Sequence, residues 1–478
     1  MQQISELSRN YKFICISVLS MLSSLSFNIA VSMRETIILS ITHGASFVPF
    51  VKTYITLPCT FLAGTCYLWL NKRYGTILTY TSINVFFLLY FVIFALIIVP
   101  NYAALTPSVE TIDHLRASYP HFKHFFGLMA HWPSALFHVF AEIWSIYIFI
   151  ILFWQVANES LKPGESSCFY PYVTFLISFG TTMAYYPIQI LSQSRNPSIM
   201  LIGLLVPLGL FMNLIVVTIC KTWGLKFSTL SSSQKNAPEQ STLEKLRSLF
   251  YDGLSNEVLS LVVCVFSFNF LISLFESCFW TRVSNEYTSQ QSLLDFYSFY
   301  TLLKGIFSML FATVNIYLLR KLSWYRVINI TPIVSIFAIH LFLLYHLPTW
   351  GLPVSFSSIS SLASTINLTY FFAIALLLSY ASKFSFFDPA KEILISTLPT
   401  DEQRISKVFA DGLGGRTGKI SGGIVQSLLL GFFAADSVLE VIPVILFLAT
   451  VSSIVFIRAI SSLKPSQRST DDEIVVAA

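Results

Sequence analysis

The 478-residue sequence predicts an all-α integral membrane protein with about twelve transmembrane helices in two six-helix bundles, and three observations carry that prediction. Side chains are 55% hydrophobic and only 11% charged, and the mean hydropathy is +0.70, far from the balance of a soluble domain. Apolar runs of about twenty residues, long enough to cross a ~30 Å hydrocarbon core, alternate with short polar breaks. The ~10-residue alternating segments of a β-barrel are absent. A polar Ser/Lys/Glu stretch, 226–256, can neither span nor need to pack, and it cuts the series in two.

In residues 1–225, spans are expected near Tyr11–Leu39, Phe47–Leu70, Ile77–Val99, Ser134–Val156, Phe169–Gln193 and Ile199–Cys220. In residues 257–462 they are expected near Val258–Trp280, Leu293–Leu319, Val327–Tyr345, Ser360–Ser382, Lys407–Phe433 and Val438–Ile460, leaving 463–478 as a tail. Two such bundles joined by a basic linker form the major-facilitator layout, in which substrate binds near the bilayer midplane. The first span follows a short polar head with Arg9 and Lys12, lacks a small-residue cleavage site, and reads as an uncleaved helix. No Ser/Arg-rich, acid-poor import leader precedes it, which favours a bacterial inner membrane. Lys and Arg gather in alternate loops, among them Lys72, Arg73, Lys221, Lys245, Arg320, Lys321, Arg404 and Arg458. That positive-inside pattern puts both termini in the cytoplasm. The loop 101–133, with His114, His121, His124 and His131, then falls outside. The seven cysteines are scattered through apolar runs without metal spacing and read as small packing residues.

Charges inside the spans carry the functional reading. Arg34, Glu35, Lys52, Glu142, Glu276, Lys304, Asp411, Arg416 and Lys419 each cost about 2.5–3.5 kcal/mol on insertion scales, on the order of 20 kcal/mol together. They must pair, line water or bind ligand. A purely structural role would be internal ion pairing, Arg34 with Glu142 or Lys419 with Glu276, holding the two halves together, and Lys52 and Lys304 lie near enough to span ends to snorkel. Cations outnumber anions, which points to an anionic substrate held by Arg34, Lys52, Arg416 and Lys419, with Glu142 and Glu276 setting the charge balance and available to a coupled proton. In the eleventh span Gly414, Gly418 and Gly422 recur every four residues and form a close-packing seam. Arg416 and Lys419 share a different face and suit phosphate as a guanidinium fork and an ammonium. GLGGRTGK is not a nucleotide-hydrolase loop, because Ile420 follows the Lys. Phe387–Arg404, just before this span, reads as an amphipathic cytoplasmic segment with Asp388 and Lys391 in solvated ion pairs.

Tyr185 and Tyr186 offer ring faces for stacking a base, although a lipid-facing or packing role suits each of them better. His138 and Glu142 share a helix face but lack a third ligand, so no metal and no cofactor is expected. A membrane-embedded enzyme using the outer histidines is the competing class, and it lacks a nucleophile paired with a base. No nucleic-acid partner is implied, and a monomeric carrier is expected.

These residues resemble the bacterial and plastidic nucleotide transporter family, the ATP/ADP antiporters. The resemblance lies in Arg34-Glu35-Thr36, Gly44-Ala45, Val48-Pro49-Phe50 and Lys52, then in Glu142-Ile143-Trp144, Phe153-Trp154 and Ala157-Asn158-Glu159. It is most specific in Phe387-Asp388-Pro389, Lys391-Glu392, Gly415-Arg416, Gly418-Lys419 and Gly422-Gly423. It implies essential charges at Arg34, Glu142, Glu276 and Lys419, and nucleoside triphosphate import by exchange for diphosphate or by proton-coupled uptake. Two departures are local: Arg34 stands where the family has Lys, and the pattern around Glu276 is kept only as Phe275-Glu276 and Trp280. A carrier for another phosphorylated or anionic metabolite remains the alternative.

Overall fold

The computed structural model describes residues 2–41, 43–160, 166–194, 199, 201–222, 255–347, 367–397, 406, 409–410 and 414–463. The expected linker, apart from residues 255 and 256, and the tail after residue 463 lie outside the described residues, as does Asp411. Ten helices among the described residues are long and apolar enough to cross a membrane. Their exposed faces carry large apolar side chains such as Leu62, Leu96, Phe337 and Phe447, a surface that hydrocarbon covers and water does not.

We label the helices used below α1 (Gln2–Leu39), α2 (Gly44–Tyr74), α3 (Thr76–Ile98), α4 (Trp132–Ala157), α5 (Ser166–Met183), α6 (Leu201–Thr218), α7 (Asn256–Glu286), α8 (Gln290–Lys321), α9 (Trp324–His346), α10 (Leu368–Ile395), α11 (Gly415–Phe432) and α12 (Val438–Ser462). The stretches α5 and α11 are helical but are not among the ten apolar spans; α11 is diluted by Arg416, Lys419 and its glycines. After α5 the chain turns at Ala184 and continues as a short helix, Tyr185–Ser192. The loop 101–133 is itself structured, with helices at Tyr102–Leu105, Val109–Ser118 and Lys123–Ala130.

The chain forms two compact units: residues 1–236 with 284–309, and residues 237–283 with 310–478. In the first unit α1 is the central helix. Small residues admit its neighbours closely: Gly180 of α5 lies against the Met21 carbonyl, and Gly209 of α6 against Ser26. Ser24 Oγ donates to the Ile177 carbonyl at 2.7 Å, and Asn28 Nδ2 donates to Thr181 Oγ1 at 3.0 Å, fixing the register of α1 on α5. Phe27 of α1 stacks on Phe149 of α4 at 4.8 Å. The α2 helix joins the same unit through Tyr147, whose hydroxyl donates to the Thr60 carbonyl at 2.7 Å.

In the second unit, Phe275, Phe342 and Phe372 bring α7, α9 and α10 together around one buried aromatic cluster. Arg282 extends this contact by donating to Thr369 Oγ1 at 3.0 Å, with its guanidinium over the Tyr345 and Phe372 rings. The α10 helix does not stop at the expected Ser382. It passes through a π-helical turn, Lys383–Phe387, into Asp388–Thr397. The first part of the expected amphipathic segment is therefore a continuation of the tenth span. Lys391 on it is only 4% exposed, at 3.9 Å from Asp388 and 3.7 Å from Glu392, so its pairing is buried rather than solvated.

Candidate substrate-binding site

Among the described residues, each unit brings together intramembrane charges that the sequence singled out, Arg34 with Glu142 in the first and Lys419 with Glu276 in the second. In the first unit, Arg34 and Glu35 lie on the last turns of α1. Successive helical residues point about 100° apart, yet the long Arg34 side chain folds back so that Nη2 and Nε donate to Glu35 Oε1 at 2.6 and 3.1 Å. Its remaining arm, Nη1, donates to Glu142 Oε2 on α4. One turn before Glu142, the fully buried His138 places Nε2 3.8 Å from Glu35 Oε1. Lys52 sits in a π-helical turn, Val51–Thr56, close enough to act electrostatically on both Glu35 and His138. Two cations thus face two carboxylates. Pairing of this kind is what makes charge tolerable away from water. π-helical turns are themselves frequent at functional positions, because they re-aim a side chain within a helix.

The second unit builds its cluster on a glycine seam. A Cβ on Gly414 would meet the Val262 carbonyl at 2.9 Å, one on Gly418 would overlap the Phe266 carbonyl, and one on Gly422 would meet Ser273 Cβ at 2.7 Å. Without side chains there, α11 lies directly on α7, and Ser273 Oγ donates to the Lys419 carbonyl at 3.1 Å. Gln426 Nε2 adds a bond to the Ser273 carbonyl at 3.2 Å. This register sets Lys419 Nζ 3.7 Å from Glu276 Oε2, while Tyr380 of α10 donates its hydroxyl to Glu276 Oε1. Arg416, one turn before Lys419, is exposed.

Exposure separates the two clusters. Side chains of Arg34 and Glu142 are 10% and 23% exposed, whereas Lys419 is 45% and Glu276 17% exposed. Chemically, each cluster is a cation whose carboxylate partner can be exchanged for another anion. The guanidinium offers a bidentate fork and the ammonium a point charge.

Other sequence-predicted positions fall elsewhere. Tyr185 and Tyr186 meet edge to face at 5.2 Å, and Tyr186 is 54% exposed. Lys304 does not snorkel: its Nζ donates to Asn28 Oδ1 at 3.3 Å and lies over the Phe27 ring. Three participants had no role assigned from sequence. Glu35 was visible as an intramembrane charge, His138 as the residue one turn from Glu142, and Tyr380 gave no signal among 22 tyrosines.

Residues 4–464 match the family described as TLC ATP/ADP transporter. The chain belongs to that family. Among relatives of the TLC transporters, ADP,ATP carrier protein 3 of Rickettsia bellii (strain RML369-C) is 25% identical, the match covering 87% of this chain and 86% of the relative. ADP,ATP carrier protein 4 of the same organism is 26% identical over 95% and 89%. Solved transporters share the fold at low identity. A bacterial homologue of the iron transporter ferroportin in its inward-facing state matches with a TM-score of 0.58 at 13% identity, over 95% of this chain and 99% of that one. The nucleoside transporter NupG matches with a TM-score of 0.57 at 12% identity, over 94% and 99%. The fold is therefore that of the major-facilitator-like carriers, and this TLC transporter is a multi-pass membrane carrier rather than an enzyme.

Proposed function

We propose that this carrier exchanges nucleoside tri- and diphosphates across a bacterial inner membrane by alternating access, working as a monomer with both termini in the cytoplasm. Arg34, Lys52, Arg416 and Lys419 bind the phosphates. Glu142 and Glu276 hold the cations when no phosphate is present and yield them when one arrives. The observation that carries this reading is the pairing of one intramembrane cation with carboxylate in each unit, Arg34 with Glu35 and Glu142, and Lys419 with Glu276, in a chain whose relatives are named ADP,ATP carriers. Such pairs keep an empty site electrically balanced, and a phosphate group offers each cation a better acceptor than a single carboxylate.

A carboxylate released from its cation is also the group that takes up a proton in a proton-coupled cycle. The two modes are separated by driving force. Proteoliposomes loaded with ADP take up labelled ATP by exchange, and empty vesicles under an inward proton gradient take it up by symport. Exchange is the expected result. Absence of nucleotide uptake by the wild type under both conditions would contradict the proposal, and so would full uptake by Lys419→Ala.

A further inference from the structure

Beyond the Arg34 cluster, along the same two helices, the first unit has an open pocket of about 430 Å³. That lies within the roughly 300–1,000 Å³ range of small-molecule pockets. Ile37 and Phe94 supply apolar wall, and Tyr102, His131, Ser134 and Gln290 supply polar groups; no lining side chain carries a formal charge when His131 is neutral. The polar groups are already ordered. The Tyr102 hydroxyl bonds Ser134 Oγ at 2.9 Å and His131 Nδ1 at 3.1 Å, and the Tyr102 and His131 rings lie at 27° to each other, 6.4 Å apart. Burial and the Arg116 charge hold the His131 pKa below its ordinary value, so the imidazole presents one donor and one acceptor at neutral pH.

Apolar wall, ring faces and neutral donors and acceptors suit a flat heterocycle, and they offer nothing to a phosphate. The distance to the charges completes the picture. Ile37 follows Arg34 by three residues on α1, and Ser134 precedes Glu142 by eight on α4. At 1.5 Å per residue, the cavity extends about 5–12 Å from the charged cluster. An anionic chain tethered to a heterocycle at that separation is a nucleotide.

We propose that this cavity is a nucleobase subsite, holding the base and adjoining sugar by Tyr102, His131 and Ser134 while the Arg34 cluster holds the phosphates. The proposal rests on the nucleotide-exchange reading above and adds which residues meet the base. With the amino terminus in the cytoplasm, the cavity opens toward the outer mouth, where substrate loads.

The test compares inhibition of labelled ATP uptake by ADP and by methyl diphosphate, which keeps the phosphates and lacks base and sugar. In wild-type proteoliposomes ADP is the stronger inhibitor by at least about tenfold, and Tyr102→Ala and His131→Ala reduce that ratio about tenfold with little change in inhibition by methyl diphosphate. Ile37→Phe, which fills the cavity and removes no polar group, gives the same reading if either alanine variant fails to assemble. Equal inhibition by the two compounds in the wild type overturns the subsite, as does an unchanged ratio in every variant that assembles. A wild type that takes up no nucleotide overturns the exchange reading itself, whereas nucleotide uptake with an unchanged ratio overturns the subsite alone.

Discussion

The two charged clusters solve the same electrostatic problem in opposite ways. In the first unit, Arg34 is enclosed, its guanidinium divided between Glu35 and Glu142 with His138 buried behind. In the second, Lys419 stands half-open at 3.7 Å from Glu276, its position set by backbone contact between two helices rather than by its partner. The first cation is held by charge, the second by packing. Within the enclosed cluster the two carboxylates also differ: Glu35 is 7% exposed and takes two guanidinium bonds, whereas Glu142 is 23% exposed and takes one. In the proposed exchange, Glu142 is the partner for an incoming phosphate to displace, and Glu35 the one that keeps Arg34 in place.

That contrast can be broken in order of expected effect. Arg34→Ala strands two carboxylates away from water and costs about 3–5 kcal/mol, read as a large fall in thermal midpoint in detergent. Arg34→Lys keeps the charge and recovers most of the stability while losing the fork. Gly418→Val drives a branched side chain into the Phe266 carbonyl and costs about 1–3 kcal/mol, with loss of transport although Lys419 itself is untouched. A transport-competent Gly418→Val would show that packing does not position Lys419. Tyr380→Phe removes one hydrogen bond to Glu276 and costs about 1 kcal/mol, with transport reduced rather than abolished.

The smallest effect is a pH dependence of stability. The folded-state pKa of His131 is lowered, so below the ordinary value of about 6.5 the unfolded chain binds a proton that the folded chain refuses. Stability is full above that pH and declines as pH falls through the window beneath it. His131→Ala should flatten the thermal midpoint between pH 6.5 and 5, and an equally steep decline in the variant would assign the proton elsewhere.

Much of this was legible because charge in a hydrophobic run is conspicuous. Arg34 with Glu142 and Lys419 with Glu276 were legible as possible ion pairs, expected to hold the two halves together; both pairs form, but each lies within one unit. The glycine spacing in 414–422 identified a seam, and the structure gives its partner, the face of α7 bearing Val262, Phe266 and Ser273. What stayed hidden depends on side-chain reach and tertiary neighbours. Glu35 follows Arg34 directly, and helical geometry alone would point the two apart; only a side chain as long as arginine folds back to make the bond. Lys391 looks solvated in an amphipathic pattern, yet the tenth helix continues without a break and buries it. Lys304 sits close enough to a span end to snorkel, but the amide of Asn28 on another helix draws it inward.

In the proposed exchange, the exposed, packing-held cation serves the substrate and not the fold. Lys419→Ala measured for both properties tests it most directly. The expected result is a thermal midpoint close to wild type, with a stability change under about 1 kcal/mol as for an exposed ion pair, together with loss of labelled ATP uptake into ADP-loaded proteoliposomes. A variant that unfolds readily, or one that exchanges nucleotide at the wild-type rate, would contradict it.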